Sequence, residues 1–357
     1  MTKRTESGNA AGRQGARVFE YDLVRIVACL MIVTMHAPMP SSEAHSVLLA
    51  GISYVTTPGI GLFFMLSGAL LLPVQDTTAV FLRKRLGRIV FPLLVWTVAD
   101  MAISWWNGAG NTAAGLWRAV LSAPFSVQGS PVLWFLYALI GIYLLAPLIS
   151  RGLEACSRAE LRFYLLLWGV SLCLPILGQW LVVARGEASA LYYFSGYIGY
   201  FVLGYYCRRY GTPFPFTVAV FLALLAVAAP ALFRIAGWQV DLYGQFWYLS
   251  VPVVVMTIGW WGVMEKAGQW AAPLLARATR KAFARVSDLT FGIYLVHVYV
   301  LRNFLWKSSW VGSIAPESLR TFVLVVLGTI FSALFCYILS LLPGAQYVIG
   351  YRKKTIR

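Results

Sequence analysis

Four ionisable residues lie inside long apolar stretches of the sequence, where a buried charge is costly and a functional role is the default explanation. They are Arg25, His36, Asp100 and His297. Arg25 and His36 are eleven residues apart, which in a helix is three turns plus about 20°. Both side chains therefore face the same side, about 16 Å apart along the axis. This spacing suits a site that binds an anion at its mouth and transfers a proton deeper in the membrane.

Each of these residues also has a purely structural interpretation. Arg25 suits a topology anchor that reaches the membrane surface and pairs with Asp22 at the same helix end. His36 is followed closely by two prolines, a context that is also typical of a histidine at the outer membrane interface. Asp100 lies eleven residues into its span, near two tryptophans, and fits the same interface equally well.

Three further clusters contain residue types suited to binding. Ser67 and the next residue, a glycine, lie near the end of an apolar span, where small residues permit close helix packing. Arg85 and Arg88 belong to a run of four cations before the next span. Such a run can bind phosphate, although it is also typical of cytoplasmic loops and lipid headgroup contacts. Tyr294 and His297 are i, i+3 neighbours on a helix.

Composition indicates which elements hold these side chains. The 357 residues are 60% hydrophobic and 12% charged, whereas a soluble domain has about 45–50% apolar and about 25% charged residues. This excludes an ordinary cytosolic enzyme, a disordered chain and a secreted disulfide scaffold, and it predicts an all-α, polytopic membrane bundle. The net charge of +16 is assigned to topology rather than to nucleic-acid binding. The five cysteines show no metal-binding or disulfide spacing.

Ten apolar runs approach the length of about 20 residues that a helix needs to cross a bilayer. They cover residues 21–38, 51–73, 89–106, 131–150, 163–184, 191–207, 214–234, 245–263, 287–306 and 320–342. With the N-terminus inside, 22 of the 29 basic residues fall on the cytoplasmic side and six outside. The positive-inside rule therefore places both termini in the cytoplasm. We expect an N-terminal tail over 1–20, a transmembrane domain over 21–342 and a basic tail over 343–357.

These residues, in this order, resemble the membrane-bound acyltransferase 3 family over about residues 20–340. One departure is Ile26, where the family usually has a small residue, which bears on packing rather than on chemistry. The matching motifs are Asp-x-x-Arg with a later His (Asp22, Arg25, His36), Phe-Phe-x-x-Ser-Gly at 63–68, Arg-x-x-Arg-Ile running into Pro at 85–92, Trp-Phe-Leu at 134–136, Tyr-Phe-x-x-Gly at 200–204 and Tyr-Leu-x-His at 294–297.

The resemblance is strongest to short members that acetylate surface or exopolysaccharide sugars, such as xanthan-type acetyltransferases. It implies an enzyme of the bacterial inner membrane that transfers an acetyl group to a sugar hydroxyl. The donor is cytoplasmic acetyl-CoA, a co-substrate rather than a bound cofactor. The acceptor is a polysaccharide or a lipid-linked oligosaccharide. The remaining expected partners are membrane lipids, with no nucleic acid and no metal.

The resemblance also implies roles for individual residues. His36 would act as a base on the acceptor hydroxyl or carry the acetyl group as acetyl-histidine, and the sequence leaves both open. Arg25 would share its catalytic site. From the residues themselves, Asp100 is the expected carboxylate that orients the imidazole, because it lies at a depth in the membrane comparable to that of His36. Arg85, Arg88 and Ser67 are expected to bind acyl-CoA. The other candidate residues are Asp22, Tyr294, His297 and Trp134.

Two other classes of function remain open. An exporter or flippase of acylated sugars or small organic acids explains ten spans and buried polar groups equally well. It does not explain basic clusters on the side where CoA is available. A structural subunit of a polysaccharide synthase would not depend on His36. Acetyl content of the polysaccharide, compared with its total yield, separates these alternatives.

Overall fold

A computed structural model of the chain describes residues 17–39, 47–106, 112–127, 131–183 and 189–351. Over those ranges the protein is helical and has no strand, in agreement with the composition. The helices are, in chain order, α1 (Phe19–His36), α2 (Val47–Thr56), α3 (Pro58–Leu71), α4 (Thr78–Trp106), α5 (Ala113–Ser122), α6 (Trp134–Ala155), α7 (Arg158–Ser171), α8 (Leu174–Leu177), α9 (Ile198–Tyr210), α10 (Phe216–Ile235), α11 (Leu242–Gln245), α12 (Val251–Leu274), α13 (Arg277–Val300), α14 (Ser309–Gly312), α15 (Glu317–Leu341) and α16 (Ala345–Val348).

Seven helical segments of the described chain are long and apolar enough to cross a membrane, and each coincides with a predicted span. They cover Leu49–Leu71, Thr78–Trp106, Pro131–Ala155, Arg158–Leu177, Phe216–Ile235, Arg277–Leu305 and Glu317–Leu341. The other three predicted spans are also helical, as α1, α9 and α12. However, α1 begins with several charged residues and α9 has only 13 residues. The count of ten and the cytoplasmic location of both termini stay predictions.

The described residues leave out 1–16, which is most of the predicted N-terminal tail, and 352–357, the last six residues of the predicted C-terminal tail. Part of the C-terminal tail is described and packs against α4. There the Arg88 Nε donates a hydrogen bond of 3.0 Å to the Gly350 carbonyl. This segment therefore helps to orient a predicted site residue. The division of the chain into two tails and one domain stays a prediction.

Helix α1 lies inside the bundle, in contact with α3, α12 and α13. Its middle consists of small and branched apolar side chains, of which Ala28, Ile32 and Val33 are almost completely buried. Because neighbouring helices surround α1, its few polar side chains meet protein groups rather than lipid. That is the environment in which an intramembrane charge is tolerated.

Helices α3 and α9 cross in close contact at two glycines. A Cβ atom at Gly68 would lie 1.7 Å from the Phe201 carbonyl oxygen, and one at Gly204 would lie 1.8 Å from the Met65 carbonyl oxygen. Only glycine allows helix backbones to approach so closely. Gly68 therefore serves close helix packing, as the sequence suggested for the Ser67-Gly68 pair. The contact between α3 and α9 also fixes the position of Ser67, the residue before Gly68.

Candidate active site

Five of the residues singled out in the sequence line one cavity of about 620 Å³. A volume of this order is typical of a small-molecule site. These five residues come from four helices, which no single motif could indicate. The five residues are Arg25 from α1, Ser67 from α3, Arg85 and Arg88 from α4, and Tyr294 from α13.

Arg25 reaches from α1 to the neighbouring α13. Its Nη1 atom donates a hydrogen bond of 3.1 Å to the Ser287 hydroxyl and lies 3.9 Å from a carboxylate oxygen of Asp22. The side chain is 27% exposed, so it is held by protein while part of it faces the cavity. Arg25 thus makes the weak ion pair with Asp22 that is expected of a topology anchor. It also lies in a binding cavity.

Arg17, which the sequence suggested only as a topology charge, binds two carboxylates at the cavity mouth. It contacts both oxygens of Asp22 at 2.7 Å and both oxygens of Asp288 at 3.0 Å. Burial lowers the pKa of the Arg17 guanidinium, but hydrogen bonds and charges from the two carboxylates outweigh burial and raise that pKa. Asp288 also lines the cavity. Arg17 and the three cavity arginines together supply four positive charges against the two carboxylates, so this end of the cavity keeps an excess of positive charge.

Arg85 adds an unsatisfied hydrogen-bond donor to this positively charged cavity. Its Nε atom is buried and has no hydrogen-bond partner among the described residues. A buried donor without a partner is costly, and a bound anion would satisfy it. Ser67 lies in the same cavity and accepts a hydrogen bond of 3.4 Å from the Tyr143 hydroxyl. The cavity therefore has the charge and donors to bind a phosphate-bearing ligand.

His36 and His297 form a pair at the other end of α1. The Nδ1 atom of His36 lies 3.4 Å from the Nε2 atom of His297, and the ring centroids are 5.1 Å apart. His297 is completely buried, whereas His36 is partly buried. Helix α13 carries both Ser287, which Arg25 contacts, and His297, which lies next to His36. Arg25 and His36 therefore lie on one face of α1.

Backbone carbonyls assign the tautomers of both rings. The Nδ1 atom of His297 lies 2.6 Å from the Tyr294 carbonyl oxygen, and the Nδ1 atom of His36 lies 2.9 Å from the Ile32 carbonyl oxygen. A carbonyl only accepts, so each Nδ1 carries the proton and each Nε2 carries the lone pair. The one Nδ1 hydrogen of His36 therefore donates mainly to the Ile32 carbonyl, and the lone pair of His297 Nε2 faces the same N–H group at 3.4 Å. The His36 Nε2 has no hydrogen-bond partner within the described ranges, which leaves its lone pair available as a base.

Tyr294 connects the cavity to the histidine pair. It lines the cavity, its ring centroid lies 5.9 Å from that of His297, and its carbonyl fixes the His297 ring. Its hydroxyl donates to the Val132 carbonyl just before α6. Tyr294 is only 3% exposed. His36 and His297 are not among the described residues that line the cavity, so Tyr294 is the lining residue next to them.

Asp100 does not contact the His36 ring in this structure. Its carboxylate instead interacts with the Tyr299 hydroxyl, and the His36 ring is hydrogen-bonded to Ile32 and His297. The hydrogen bonds of the His36 ring within the described residues do not include Asp100, and the role of Asp100 at the catalytic site stays a prediction. A similar depth in the membrane does not bring two side chains together, because the helices that carry them also have to face each other.

Trp134 belongs to an aromatic cluster beside the histidine pair. Its ring lies 5.1 Å from Tyr197 and 5.5 Å from Tyr248. The Tyr248 hydroxyl is 3.2 Å from the sulfur of Met35, the residue before His36. We call Trp134, Tyr197 and Tyr248 the aromatic cluster. Its position would suit contact with a substrate that approaches His36.

Arg302 is a residue near the histidines that the sequence did not single out. It lies in a π-helical turn, Leu301–Leu305, that continues α13 directly after the histidine segment. Its charge acts on His36, His297 and Asp100. π-Helical turns are frequent at functional sites, but no sequence pattern indicated this one.

The fold and the site together define a membrane-embedded helical protein with an anion-binding cavity next to a pair of histidines. The family model described as an acyltransferase domain matches residues 18–341. The chain belongs to this family, the membrane-bound acyltransferase 3 family. Nodulation protein 10 of Rhizobium leguminosarum bv. viciae is 23% identical over 336 residues, which cover 82% of this chain and 85% of that protein. No solved structure matches the chain.

Proposed function

We propose that this membrane acyltransferase transfers an acetyl group from cytoplasmic acetyl-CoA to a sugar hydroxyl. The acceptor would be a surface polysaccharide, an exopolysaccharide or its lipid-linked precursor, and the protein would cross the bacterial inner membrane several times. The observation that carries the proposal is the cavity lined by Arg25, Arg85 and Arg88, which adjoins the His36–His297 pair through Tyr294.

The cavity supports a CoA thioester as the donor. CoA carries several phosphate charges, and guanidinium groups bind phosphate strongly because two N–H groups can contact two oxygens. Arg85 has a buried donor available for this purpose. An extended pantetheine arm spans on the order of 15–20 Å, and His36 lies about 16 Å beyond Arg25 along α1. Phosphates near the arginines would therefore place the thioester near His36.

The assigned tautomer supports His36 as the general base. In this mechanism the Nε2 lone pair takes the proton from the acceptor hydroxyl, and the hydroxyl oxygen attacks the thioester carbonyl. The C–S bond then breaks, and the leaving CoA thiolate receives the proton back from Nε2. His297 would hold the His36 ring in this orientation through Nδ1. The same free Nε2 would also suit an acetyl-histidine relay, in which it attacks the thioester first.

The acceptor is proposed to approach from the outer side, past the aromatic cluster. Aromatic rings bury the apolar faces of ligands and leave polar groups free for hydrogen bonds. Trp105 and Trp106, at the end of α4, are 65% and 88% exposed, and such exposure is typical of the membrane interface. Trp134, which packs in the aromatic cluster, is therefore better placed than Trp105 and Trp106 to contact a sugar.

The test is to incubate membranes containing the protein with labelled acetyl-CoA and to analyse which glycan gains label. The proposal predicts labelled glycan with the wild type and none with His36→Ala at equal protein level. In cells, deletion should remove acetyl groups without lowering polysaccharide yield. Loss of yield with unchanged acetyl content per sugar would indicate an exporter instead and would contradict the proposal.

A further inference from the structure

A second cavity, of about 600 Å³, lies outside the site described above and has a different character. Its walls come from the end of α7, from α8, from the segment before α9 and from the segment that contains α11. We propose that this cavity binds the polyhydroxylated acceptor, with Asp241, Gln179 and Gln245 as its hydrogen-bonding side chains. The inference rests on the proposed function and assigns the acceptor to a place in the fold.

The second cavity lies at the histidine end of α1, away from the arginines. Helix α12 runs antiparallel to α1, as two contacts show. Tyr248, just before α12, lies 3.2 Å from the sulfur of Met35, whereas a Cβ atom at Gly268 would lie 2.5 Å from the side chain of Glu20. Leu249 lines the second cavity. Lining residues of the two cavities therefore lie toward opposite ends of α1, an arrangement that suits transfer between substrates on opposite sides.

The polar side chains of this cavity have unused hydrogen-bonding capacity. One oxygen of Asp241 accepts from the Tyr243 backbone at 3.1 Å, while Gln245 Oε1 accepts from the Asp241 backbone at 3.1 Å. Gln179 Nε2 donates to the Gln239 carbonyl at 2.8 Å. These bonds hold the side chains in place. They leave a carboxylate oxygen, the Gln245 NH2 and the Gln179 Oε1 without a protein partner among the described residues.

That set of free groups matches the needs of sugar hydroxyls. A hydroxyl both donates and accepts, so it is recognised best where a carboxylate or amide oxygen lies near an amide NH2. Tyr192 also lines the cavity and is 47% exposed, which offers a ring face for a sugar. Asp241 is the one charged side chain among the described lining residues. The site therefore favours a hydroxyl-rich ligand over a polyanion such as CoA.

Two wall residues of the second cavity are close in sequence to members of the aromatic cluster. Ser195 and Leu249 form part of its wall, and they lie within two residues of Tyr197 and Tyr248 respectively. Both of those rings pack against Trp134. A chain of sugars held in the cavity would therefore place a neighbouring unit over the aromatic cluster and beside the histidine pair. The cavity would position the acceptor without taking part in acetyl transfer.

Binding can be measured without any acyl donor. The full-length protein in lipid nanodiscs would be titrated with short neutral gluco-, galacto- and manno-oligosaccharides while tryptophan fluorescence is recorded. We expect saturable binding of at least one series, weakened about tenfold or more in Gln245→Ala and in Asp241→Asn. Asparagine is a good helix cap, so Asp241→Asn should keep α11 folded. The matched controls, Gln75→Ala and Asp76→Asn, change exposed residues outside this cavity and should bind as the wild type does.

Failure of this inference is distinguishable from failure of the proposed function. If no series binds, or if both variants bind like the wild type, the acceptor assignment is wrong. Acetyl transfer to glycan by the same preparations would then still support the proposed function. Conversely, sugar binding that depends on Asp241 and Gln245, in a protein that acetylates no glycan, would keep the acceptor cavity and refute the acetyl transfer.

Discussion

The Nδ1 atom of His36 lies 3.4 Å from the Nε2 atom of His297, although the two residues are 261 positions apart in the chain. This contact defines the chemistry of the site. The Ile32 and Tyr294 carbonyls place a proton on each Nδ1. The lone pair of His297 Nε2 then faces the N–H group that His36 directs mainly to Ile32, and the His36 Nε2 keeps its lone pair. A second imidazole thus occupies the place where a carboxylate was expected.

His36→Ala should abolish acetyl transfer while the protein remains in the membrane at its normal level. Loss of a general base typically lowers the rate by about 100- to 10,000-fold. The measurement is labelled acetyl incorporation per amount of protein in isolated membranes. A twofold loss would contradict the assignment, because so small an effect is not that of a base in the reaction.

His297 should act as a positioning residue, so its replacement should lower kcat without raising KM for acetyl-CoA. Loss of one hydrogen bond of about 1–2 kcal/mol corresponds to about 5- to 30-fold in kcat. In His297→Gln the longer side chain can place its amide oxygen where the Nε2 atom of His297 faces His36. In His297→Asn the shorter side chain reaches only the position of the Nδ1 atom. Greater activity of the Gln variant supports the role, and equal loss in both variants with altered donor KM would refute it.

Arg85→Ala should raise KM for acetyl-CoA by about 10-fold or more, since hydrogen bonds to charged groups contribute about 1.5–3 kcal/mol. KM for the acceptor should change little. Arg85→Lys should restore activity poorly if the phosphate contact is bidentate. The matched control is Arg83→Ala, an exposed cation of the same run that does not line the cavity. Equal effects of Arg83 and Arg85 would mean that both are topology charges.

Arg17→Ala should weaken donor binding indirectly, by leaving Asp288 unpaired at the cavity mouth. One unpaired carboxylate near a phosphate costs about 1 kcal/mol, which corresponds to about fivefold in KM for acetyl-CoA. The double variant with Asp288→Asn should recover most of this loss. If the double variant is as impaired as Arg17→Ala alone, then Arg17 stabilises the fold rather than the charge balance of the cavity.

Gly68→Ala should destabilise the bundle, because the added methyl group meets the Phe201 carbonyl of α9. Overpacking of this kind costs about 1–3 kcal/mol or more. Gly141→Ala is the matched control, since a Cβ atom there meets nothing within 4 Å. Thermal unfolding of the purified protein should show a lower Tm for Gly68→Ala than for the control. Equal values would contradict the close crossing of α3 and α9.

The sequence predicted the features that depend on local periodicity or on composition. Charge scarcity indicated a helical membrane protein, and the spacing within one helix put Arg25 and His36 on one face. Seven predicted spans are helices long and apolar enough to cross a membrane. The first span is harder to recognise from hydropathy, because α1 carries charged residues that face other helices.

The sequence could not predict contacts between distant helices. His36 and His297 were both candidates, but nothing in either motif shows that α1 and α13 bring their rings together. Asp100 was assigned to His36 from depth alone, and depth does not determine which way a side chain points. Arg17 and Arg302 look like ordinary flanking cations until the carboxylates and histidines around them are seen.

The most direct test of the central claim is acetyl transfer across sealed membrane vesicles of known orientation. Labelled acetyl-CoA is supplied only on the cytoplasmic face, and the acceptor glycan is supplied only on the other face. We expect labelled glycan with the wild type and none with His36→Ala. Transfer that requires both substrates on one face, or no labelled glycan under any arrangement, would contradict it.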